Sequence, residues 1–198
     1  MNIFILATSP REGSQTLQFA HYLQSVFNRQ STIKEVNLVD FEYFDIPAFG
    51  KGKVEINSLT PFQESLIQNW QKSDIVVFAS PEYNWTTNGE VFIMLDQLGN
   101  KNFSHLFDNK VFAFTGVSSG RGGRQPALDV AKVVGKLISF QNKYSIISSK
   151  IFEAHETGKN ILENYQSAGN IVFETGVEDF VDYTIKIAER WFQQNTNQ

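Results

Sequence analysis

Three short segments of this sequence carry side chains suited to binding a phosphate or a planar ligand. The first, residues 8–16, reads T-S-P-R-E-G-S-Q-T and stands directly before an amphipathic stretch. If a helix begins there, its free amides and dipole favour an anion, and Arg11 can add charge-assisted hydrogen bonds. An ordinary N-cap at Ser14 beside a solvated arginine would give the same residues. The segment by itself leaves both interpretations open.

The second segment, residues 80–89, reads S-P-E-Y-N-W-T-T-N-G. It follows a short apolar run rich in β-branched residues, which is typical of a strand buried on both faces, and precedes a run with helical spacing. Pro, Tyr, Asn and Gly in such a loop offer rigid backbone, free N–H groups and a flat surface. The segment therefore predicts a loop that binds a planar ligand at the carboxyl end of a central strand.

The third segment, residues 115–124, reads T-G-V-S-S-G-R-G-G-R. Its glycines allow the backbone to approach a ligand closely, although a flexible turn would have the same composition. The chain lacks the phosphate-loop pattern G-x-x-x-x-G-K-[ST], and no G-x-G-x-x-G follows the first apolar run. A binding role for this segment depends on its lying beside the other two.

The elements that must position these segments alternate along the chain, which predicts an α/β fold with a parallel sheet. The predicted strands are 2–7, 33–38, 74–79, 110–116 and 143–149. The predicted helices are 14–27, 60–72, 89–98, 126–138 and 177–193. Helices on both faces of five such strands indicate a flavodoxin-like three-layer sandwich of strand order 2-1-3-4-5, with its switch point beside strands 1 and 3.

Two connections are longer than a crossover needs. Residues 40–59 are rich in aromatic side chains and glycine, which is typical of an active-site wall or an interface. Residues 150–176 include a possible short helix at 160–165. The predicted helix at 89–98 is apolar around more than one face, so it is expected to pack against both its sheet and a second subunit.

Length and composition restrict the class of protein. The chain has 198 residues, which fits a single domain over 1–198 with a variable C-terminal region from about residue 150. A net charge of −4 argues against nucleic acid as the main partner. Since there is no cysteine, disulfides, thiolate catalysis and iron–sulfur centres are excluded, and redox chemistry requires a bound cofactor.

The chain also has no sequence signal for a membrane or a metal. No apolar run approaches the roughly 20 residues that span a bilayer, and the N-terminal apolar stretch is too short for a signal peptide, so a cytoplasmic protein is expected. The three histidines, His21, His105 and His155, lack metal-ligand spacing. The polar segment 193–198 is expected to fray.

Together the three segments resemble the NADPH-dependent FMN reductase family, a flavodoxin-like group of flavin, quinone, azo-dye and chromate reductases. The resemblance covers residues 2 to about 149. In the family's first motif, G-S-x-R-x-x-S-x-N, three positions match this chain: Ser9, Arg11 and Ser14. Thr8 and Thr16 depart from it, but the hydroxyl of Thr16 can donate where the family's asparagine amide does. These positions hold the FMN phosphate in the family.

The second family motif begins with P-E-Y-N, which this chain matches in full as Pro81, Glu82, Tyr83 and Asn84. The match implies contact with the flavin ring. The motif continues with a small or hydroxyl residue and then P-G, where Trp85 and Asn88 depart. Asn88 is a good N-cap, so the fold is expected to tolerate it. Trp85 would stack near the flavin, narrow the nicotinamide and substrate space, or lie in an interface.

The third family motif, G-x-S-x-G-x-x-G-G, is matched more loosely. Gly116, Ser118 and Gly120 fit, and the final glycine pair arrives one residue early. The resemblance, with the neighbouring positions, assigns these residues to the cofactor: Ser9, Arg11, Ser14, Gln15, Thr16, Pro81, Glu82, Tyr83, Asn84, Trp85, Ser118, Gly120 and Gly123.

The function implied is an oxidoreductase that passes hydride equivalents from NADPH or NADH through FMN to a small acceptor, such as a flavin, quinone, azo or nitro compound or metal oxyanion. Because the flavin carries the chemistry, no catalytic side chain is assigned. Backbone amides of Asn84 and residues 118–123 are expected near negative charge on the reduced ring. Arg121 and Arg124 either meet the 2′-phosphate of NADPH or are solvated. The family implies a homodimer or homotetramer.

Other functions share the predicted fold. A flavodoxin-type electron carrier would bind FMN without a nicotinamide nucleotide. A non-catalytic interaction protein would keep the fold and lose the cofactor, and the departures at Thr16, Trp85 and Asn88 leave that possibility open. A phospho-acceptor receiver domain needs acidic residues after the first strand, where this chain has Thr8 and Ser9.

Overall fold

A five-stranded parallel sheet forms the centre of the protein, which we describe over residues 1–195 of a computed structural model. Its order, β2-β1-β3-β4-β5, confirms the predicted flavodoxin-like arrangement. The strands are β1 (Asn2–Ala7), β2 (Glu35–Asp40), β3 (Ile75–Pro81), β4 (Val111–Val117) and β5 (Ile146–Ala154).

In the described part of the chain, six α-helices connect and flank the strands. They are α1 (Gln15–Asn28), α2 (Pro61–Lys72), α3 (Gly89–Leu98), α4 (Arg124–Phe140), α5 (Thr157–Asn160) and α6 (Ile171–Asn195). Two 3₁₀ turns, Phe41–Tyr43 and Lys101–Phe107, complete the connections after β2 and α3. The first four helices lie where the sequence predicts them, within two residues at each end.

The sheet separates two hydrophobic cores because successive side chains of a strand point to opposite faces. Phe4 and Leu6 of β1 face a core that α2, α3 and α4 complete. Ile3 and Ile5 face the other core, against α1 and α6. On α3, Phe92 and Ile93 remain partly exposed, and their expected burial against a second subunit stays a prediction.

Local signals explain where the helices start. Thr60 and Gln63 form a reciprocal capping box at α2, with Pro61 at the first helical position. At α1, the hydroxyl of Ser14 accepts a hydrogen bond from the Leu17 amide at 3.1 Å. Both helices therefore begin with their terminal amides partly satisfied.

The prediction for β5 was wrong in its bounds, because the strand continues to Ala154. Phe112 pairs with Ile147, but Phe114 pairs with Ile151, so the strand contains an irregularity around the polar residues 148–150. Those residues interrupt the apolar pattern, which made the strand look complete at residue 149. The continuation brings Glu153 to the carboxyl edge of the sheet.

The segment after β5 also differs from the prediction. The expected helix at 160–165 is wrong: α5 ends at Asn160, and the chain then forms a small hairpin in which Ile161 bridges Ser167. Helix α6 begins six residues before the predicted start. The predicted connection ended at Gly176, but this residue lies inside α6, where a Cβ atom would come within 2.8 Å of the Phe152 ring.

No helix within residues 1–195 is both long and apolar enough to cross a membrane. Helix α6 runs to Asn195. The rest of the polar tail, for which the sequence predicts fraying, lies outside the described residues.

Asp40, at the end of β2, allows a test of stability against pH. Burial raises the pKa of its carboxyl above the usual value, although the Glu42 amide donates to it at 3.1 Å. A raised native pKa favours folding at low pH, and this contribution is lost as pH rises through the native pKa. We therefore expect Asp40→Asn, which keeps the acceptor, to increase the free energy of unfolding at neutral pH.

Urea denaturation near pH 7 and again near pH 4 measures this difference. The gain should shrink on acidification, because the protonated carboxyl of Asp40 is as neutral as the amide that replaces it in the variant. The exposed Asp96→Asn is the matched control. A gain that is absent at pH 7, or that does not change with pH, would contradict the burial argument.

Candidate functional site

The loops after β1, β3 and β4 meet at the carboxyl edge of the sheet and enclose a cleft of about 250 Å³. The structure therefore brings the three segments together, as the sequence predicts. Eight of the predicted site residues line this cleft: Ser9, Arg11, Ser14, Gln15, Thr16, Pro81, Glu82 and Tyr83. Five others, Asn84, Trp85, Ser118, Gly120 and Gly123, lie in the adjoining loops without lining it.

The start of α1 forms one end of the cleft. Ser14 caps the helix, which agrees with the simpler of the two interpretations, but its hydroxyl proton remains free to donate. The amides of Gln15 and Thr16 donate to no acceptor within residues 1–195. Because these amides sit at the positive end of a 14-residue helix, this end of the cleft favours an anion.

The Gln15 side chain has a second contact, outside the cleft. Its amide nitrogen lies so close to Gly158 that a Cβ atom added there would be 2.5 Å away. Gln15 thus packs against α5, an element beyond the three predicted segments. Thr16, by contrast, is buried in the wall, with 2% of its surface exposed.

Arg11 lies over the Tyr83 ring and connects the first two loops. Its guanidinium carbon is 4.4 Å from the ring centroid, which is cation–π geometry. The Tyr83 phenol and the Ser9 hydroxyl are 2.9 Å apart. In the described part of the chain Arg11 forms no ion pair. Its charge therefore remains available to a ligand.

Residues 83–86 form a tight turn whose two central residues have positive φ. Asn84 has φ 50° and Trp85 has φ 69°, while Tyr83 and Thr86 exchange backbone hydrogen bonds of 2.8 and 3.2 Å. Positive φ at both central positions is the pattern of a type I′ turn, and it is strained for a residue as bulky as tryptophan. The turn exposes 82% of Trp85.

Asn88 occupies the N-cap position of α3, as expected, but its side chain does not cap the helix. Its amide instead donates to the Thr8 carbonyl at 2.7 Å and to the Glu90 carboxylate at 2.9 Å. This residue therefore ties the loop after β3 to the end of β1. Asn88, which stands where the family has proline, therefore has a structural role in this chain.

The glycine-rich loop folds back on its own strand. Gly123 has φ 105°, and a Cβ atom at Gly116 would overlap the Gly123 carbonyl. Glycine is required at both positions because the two backbones are in contact. Ser118 is buried, and its hydroxyl accepts the Gly120 amide at 3.1 Å.

Glu82 forms the wall between the second and third loops. Its carboxylate is packed against Gly122, where any Cβ atom would overlap it. The Oε2 atom of Glu82 is buried and has no hydrogen-bond partner within residues 1–195. A buried carboxylate oxygen requires a donor, so this atom is a candidate contact for a ligand or a bound water.

The sequence patterns missed several residues of the site. Val117 and Ser119 line the cleft, although they occupy variable positions of the third motif. Glu153 forms an ion pair of 2.6 Å with Arg124, and His155 accepts the Gly122 amide at 3.1 Å. Both lie after residue 149, where the sequence analysis wrongly ended β5, and no local signal in the sequence marks them.

The fold is flavodoxin-like, and the start of α1 gives its cleft an end that favours an anion, beside the loops that follow β3 and β4. The sequence pattern of the family described as NADPH-dependent FMN reductase matches residues 1–148. The chain belongs to the NADPH-dependent FMN reductase family.

Solved structures with this fold include the following three proteins. RosB, with a bound 8-demethyl-8-formylriboflavin-5′-phosphate intermediate, has a TM-score of 0.67 at 17% identity, over 98% of this chain and 81% of that chain. FerB, a flavoenzyme NAD(P)H:(acceptor) oxidoreductase from Paracoccus denitrificans, has a TM-score of 0.60 at 18% identity, over 93% and 97%. An azoreductase from Bacillus anthracis str. Sterne has a TM-score of 0.54 at 14% identity, over 96% and 99%. At these identities the likeness is one of fold.

Two glycines of the third loop provide a matched test of the wall at Glu82. Neither Gly120 nor Gly122 has a left-handed φ, but only the Cβ atom at Gly122 would overlap the carboxylate. We expect Gly122→Ala to lower the free energy of unfolding by about 1–3 kcal/mol, as overpacking does. Gly120→Ala, where the space is open, should be neutral or stabilising by up to about 1 kcal/mol.

Urea denaturation of both variants checks this difference. Equal effects of the two substitutions would show that Glu82 moves away without cost, and would remove it from the fixed wall of the cleft.

Proposed function

We propose that this protein binds FMN at the carboxyl edge of its sheet and passes hydride equivalents from NADPH or NADH through FMN to a small acceptor. The observation that carries the proposal is the start of α1. There, amides without an acceptor in residues 1–195 and Arg11, which has no ion pair in that range, open onto the loops that follow β3 and β4. Membership in the family supports the same ligand.

The residues around the start of α1 fit the phosphate of FMN. The amides of Gln15 and Thr16, the hydroxyl of Ser14 and the guanidinium of Arg11 all donate hydrogen bonds. A phosphate monoester carries between about 1.5 and 2 negative charges and accepts through three oxygens. Arg11 is held over Tyr83, so little of its rotamer freedom remains to be lost on binding.

The 83–86 turn and the 118–123 loop, which lie beyond the cleft, fit the flavin ring of FMN. The cleft is smaller than the roughly 300–1,000 Å³ of most ligand pockets, so a ligand anchored at its phosphate end must extend out of it. The 83–86 turn and the 118–123 loop border that exit. The amides of Ser119, Arg121 and Gly123 donate to no acceptor within residues 1–195. They are donors for the polar edge of a ring.

When bound, FMN supplies the hydride chemistry, which no side chain of this chain can perform. The chain binds the phosphate, orients the ring and offers amides where negative charge develops. Buried oxygens such as Glu82 Oε2 can hold a ring N–H as acceptors. We assign binding roles to these residues and no catalytic role.

Space for the nucleotide and the acceptor lies outside the cleft, beside Trp85. Arg124 is already paired with Glu153 at 2.6 Å, which makes it a poor candidate for the 2′-phosphate of NADPH. Arg121 is exposed on the third loop. We therefore assign recognition of the 2′-phosphate of NADPH to Arg121. The exposed indole of Trp85 offers a flat apolar surface to an aromatic acceptor.

The first prediction from this function is a spectroscopic one. Protein reconstituted with FMN and mixed anaerobically with NADPH should lose its flavin absorbance, because hydride transfer reduces the ring. The same sample without nucleotide is the control. If the yellow colour persists with both NADPH and NADH, the proposed reductase function is wrong and an electron carrier is favoured. If the protein takes up no FMN at all, a non-catalytic protein is favoured.

A second prediction concerns the phosphate end. Arg11→Ala should weaken FMN binding by about 1.5–3 kcal/mol, the usual value of a hydrogen bond to a charged group. Arg29→Ala removes the same charge at the other end of α1 and should leave the affinity unchanged. Fluorescence quenching of FMN measures both. Equal affinities of the two variants would exclude Arg11 from the phosphate site.

A further inference from the structure

The segment that follows β5 holds the glycine-rich loop in place. The Glu156 amide donates to the Gly120 carbonyl at 2.8 Å, and the Thr157 amide donates to the Ser118 carbonyl at 3.1 Å. In the opposite direction, the Gly122 amide donates to Nδ1 of His155 at 3.1 Å. Residues 155–157 lie beyond the stretch that matches the family. This anchor is therefore a feature of this chain's C-terminal region.

The anchor divides the amides of the loop into two sets. Those of Ser118, Gly120 and Gly122 donate within the protein, to the Ala154 carbonyl, the Ser118 hydroxyl and His155 respectively. The intervening amides, of residues 119, 121 and 123, have no acceptor in the described chain. Which amides remain for a ligand thus depends on which ones the protein holds.

The bond from Gly122 differs from the other two because its acceptor is an imidazole nitrogen. Nδ1 accepts a hydrogen bond only when it carries no proton, so the ring must be neutral with its proton on Nε2. Nε2 in turn lies 3.8 Å from the Glu153 carboxylate. The side chain is 45% exposed, so protons reach it from solvent.

Gly122 has little freedom to adjust if this bond is lost. The Glu82 carboxylate is packed against its Cα on the side where a side chain would be. The next residue, Gly123, is in contact with Gly116. Between these fixed neighbours, the His155 bond determines the direction of the Gly122 amide.

We propose that His155 is a positioning residue for FMN binding: its neutral Nδ1 fixes the direction of the Gly122 amide, and protonation of the ring removes that acceptor and weakens FMN binding. The inference rests on the proposed function, since it concerns the same site. Protonation places an N–H where the acceptor was, and the Gly122 amide then faces a donor.

Charged groups lie on each element next to His155. The Glu153 carboxylate of β5 is 3.8 Å from Nε2 and is itself paired with Arg124 of α4. Glu156, which is paired with Lys159, also interacts with His155 and with Arg121 of the loop.

Three substitutions of His155 distinguish the effect of the hydrogen-bond acceptor from the effect of side-chain size. Asn places an oxygen near the position of Nδ1, Gln places its amide near Nε2, and Leu has no acceptor. At about pH 8, His155→Asn should bind FMN like the wild type. His155→Gln and His155→Leu should bind about 3–10-fold more weakly, the range of one neutral hydrogen bond. FMN fluorescence quenching measures the affinities, and circular dichroism establishes that each variant is folded.

The pH dependence is the readout that a purely structural role would not affect. The phosphate of FMN titrates in the same pH range as imidazole, so its titration changes the FMN affinity of every variant. His155→Asn has no imidazole at this position and therefore shows the effect of the phosphate alone. Between about pH 8 and pH 5.5, wild-type affinity should fall about 3–10-fold relative to His155→Asn, and should approach that of His155→Leu.

Two results would overturn the proposal. Equal affinities of the Asn and Leu variants at pH 8 would show that the hydrogen bond to Gly122 plays no part in FMN binding. Identical pH profiles of the wild type and the Asn variant would show that protonation of His155 plays none. In either case FMN still binds, and the proposed function stands. Absence of FMN binding by the wild type at pH 8 would instead overturn the proposed function, and with it the role given to His155.

Discussion

The register of the parallel sheet is the constraint on which the site depends. Ala7 of β1 pairs with Ala79 of β3, and Pro81 of β3 pairs with Val117 of β4. Strands aligned in this way end at one edge, so the three loops that follow them begin side by side. A slip of one residue would exchange the faces of every side chain in a strand. The two cores that prevent such a slip therefore also fix the cleft.

The glycine-rich loop shows a second use of backbone contact. Its glycines suggest close approach to a ligand, but the structure places protein where their side chains would be. The Gly123 backbone fills the space at Gly116, and the Glu82 carboxylate fills the space at Gly122. The loop is thus held by the protein on both sides. A rigid loop loses little conformational entropy when a ligand binds, which is the physical advantage of building it in this way.

Most of the fold follows from patterns that act locally. Apolar runs identify β1, β3 and β4 because these strands are buried on both faces, and Thr60 with Pro61 identifies the start of α2. β5 is an edge strand with polar residues and a register shift, so its end could not be located from periodicity. The predicted start of α6 was wrong for a related reason, since the contact of Gly176 with Phe152 inside the helix is a property of tertiary packing.

The same distinction applies to the candidate site. Motif residues such as Ser9 and Tyr83 were predictable because a contiguous pattern specifies them. His155 and Glu153 were not predictable, because they reach the loop only through the continuation of β5. The position of Asn88 at the start of α3 was predictable, but the partner of its side chain was not. A bond that caps the helix was expected, whereas the side chain donates to the Thr8 carbonyl. Spacing along a chain specifies which residues a loop contains, whereas the partners of those residues depend on the tertiary fold.

The turn at Asn84 and Trp85 is the place where local preference and structure disagree most. Each positive φ at a non-glycine residue costs on the order of 1–3 kcal/mol, and the exposed indole gains little from burial. The turn persists because it is fixed on both sides. Tyr83 is bonded to Ser9, and the Thr86 hydroxyl donates to Asp129 of α4 at 2.8 Å. Hydrogen-bonded neighbours thus hold a large aromatic side chain out into solvent beside the cleft, and local rules tend to be broken in this way where a surface serves binding.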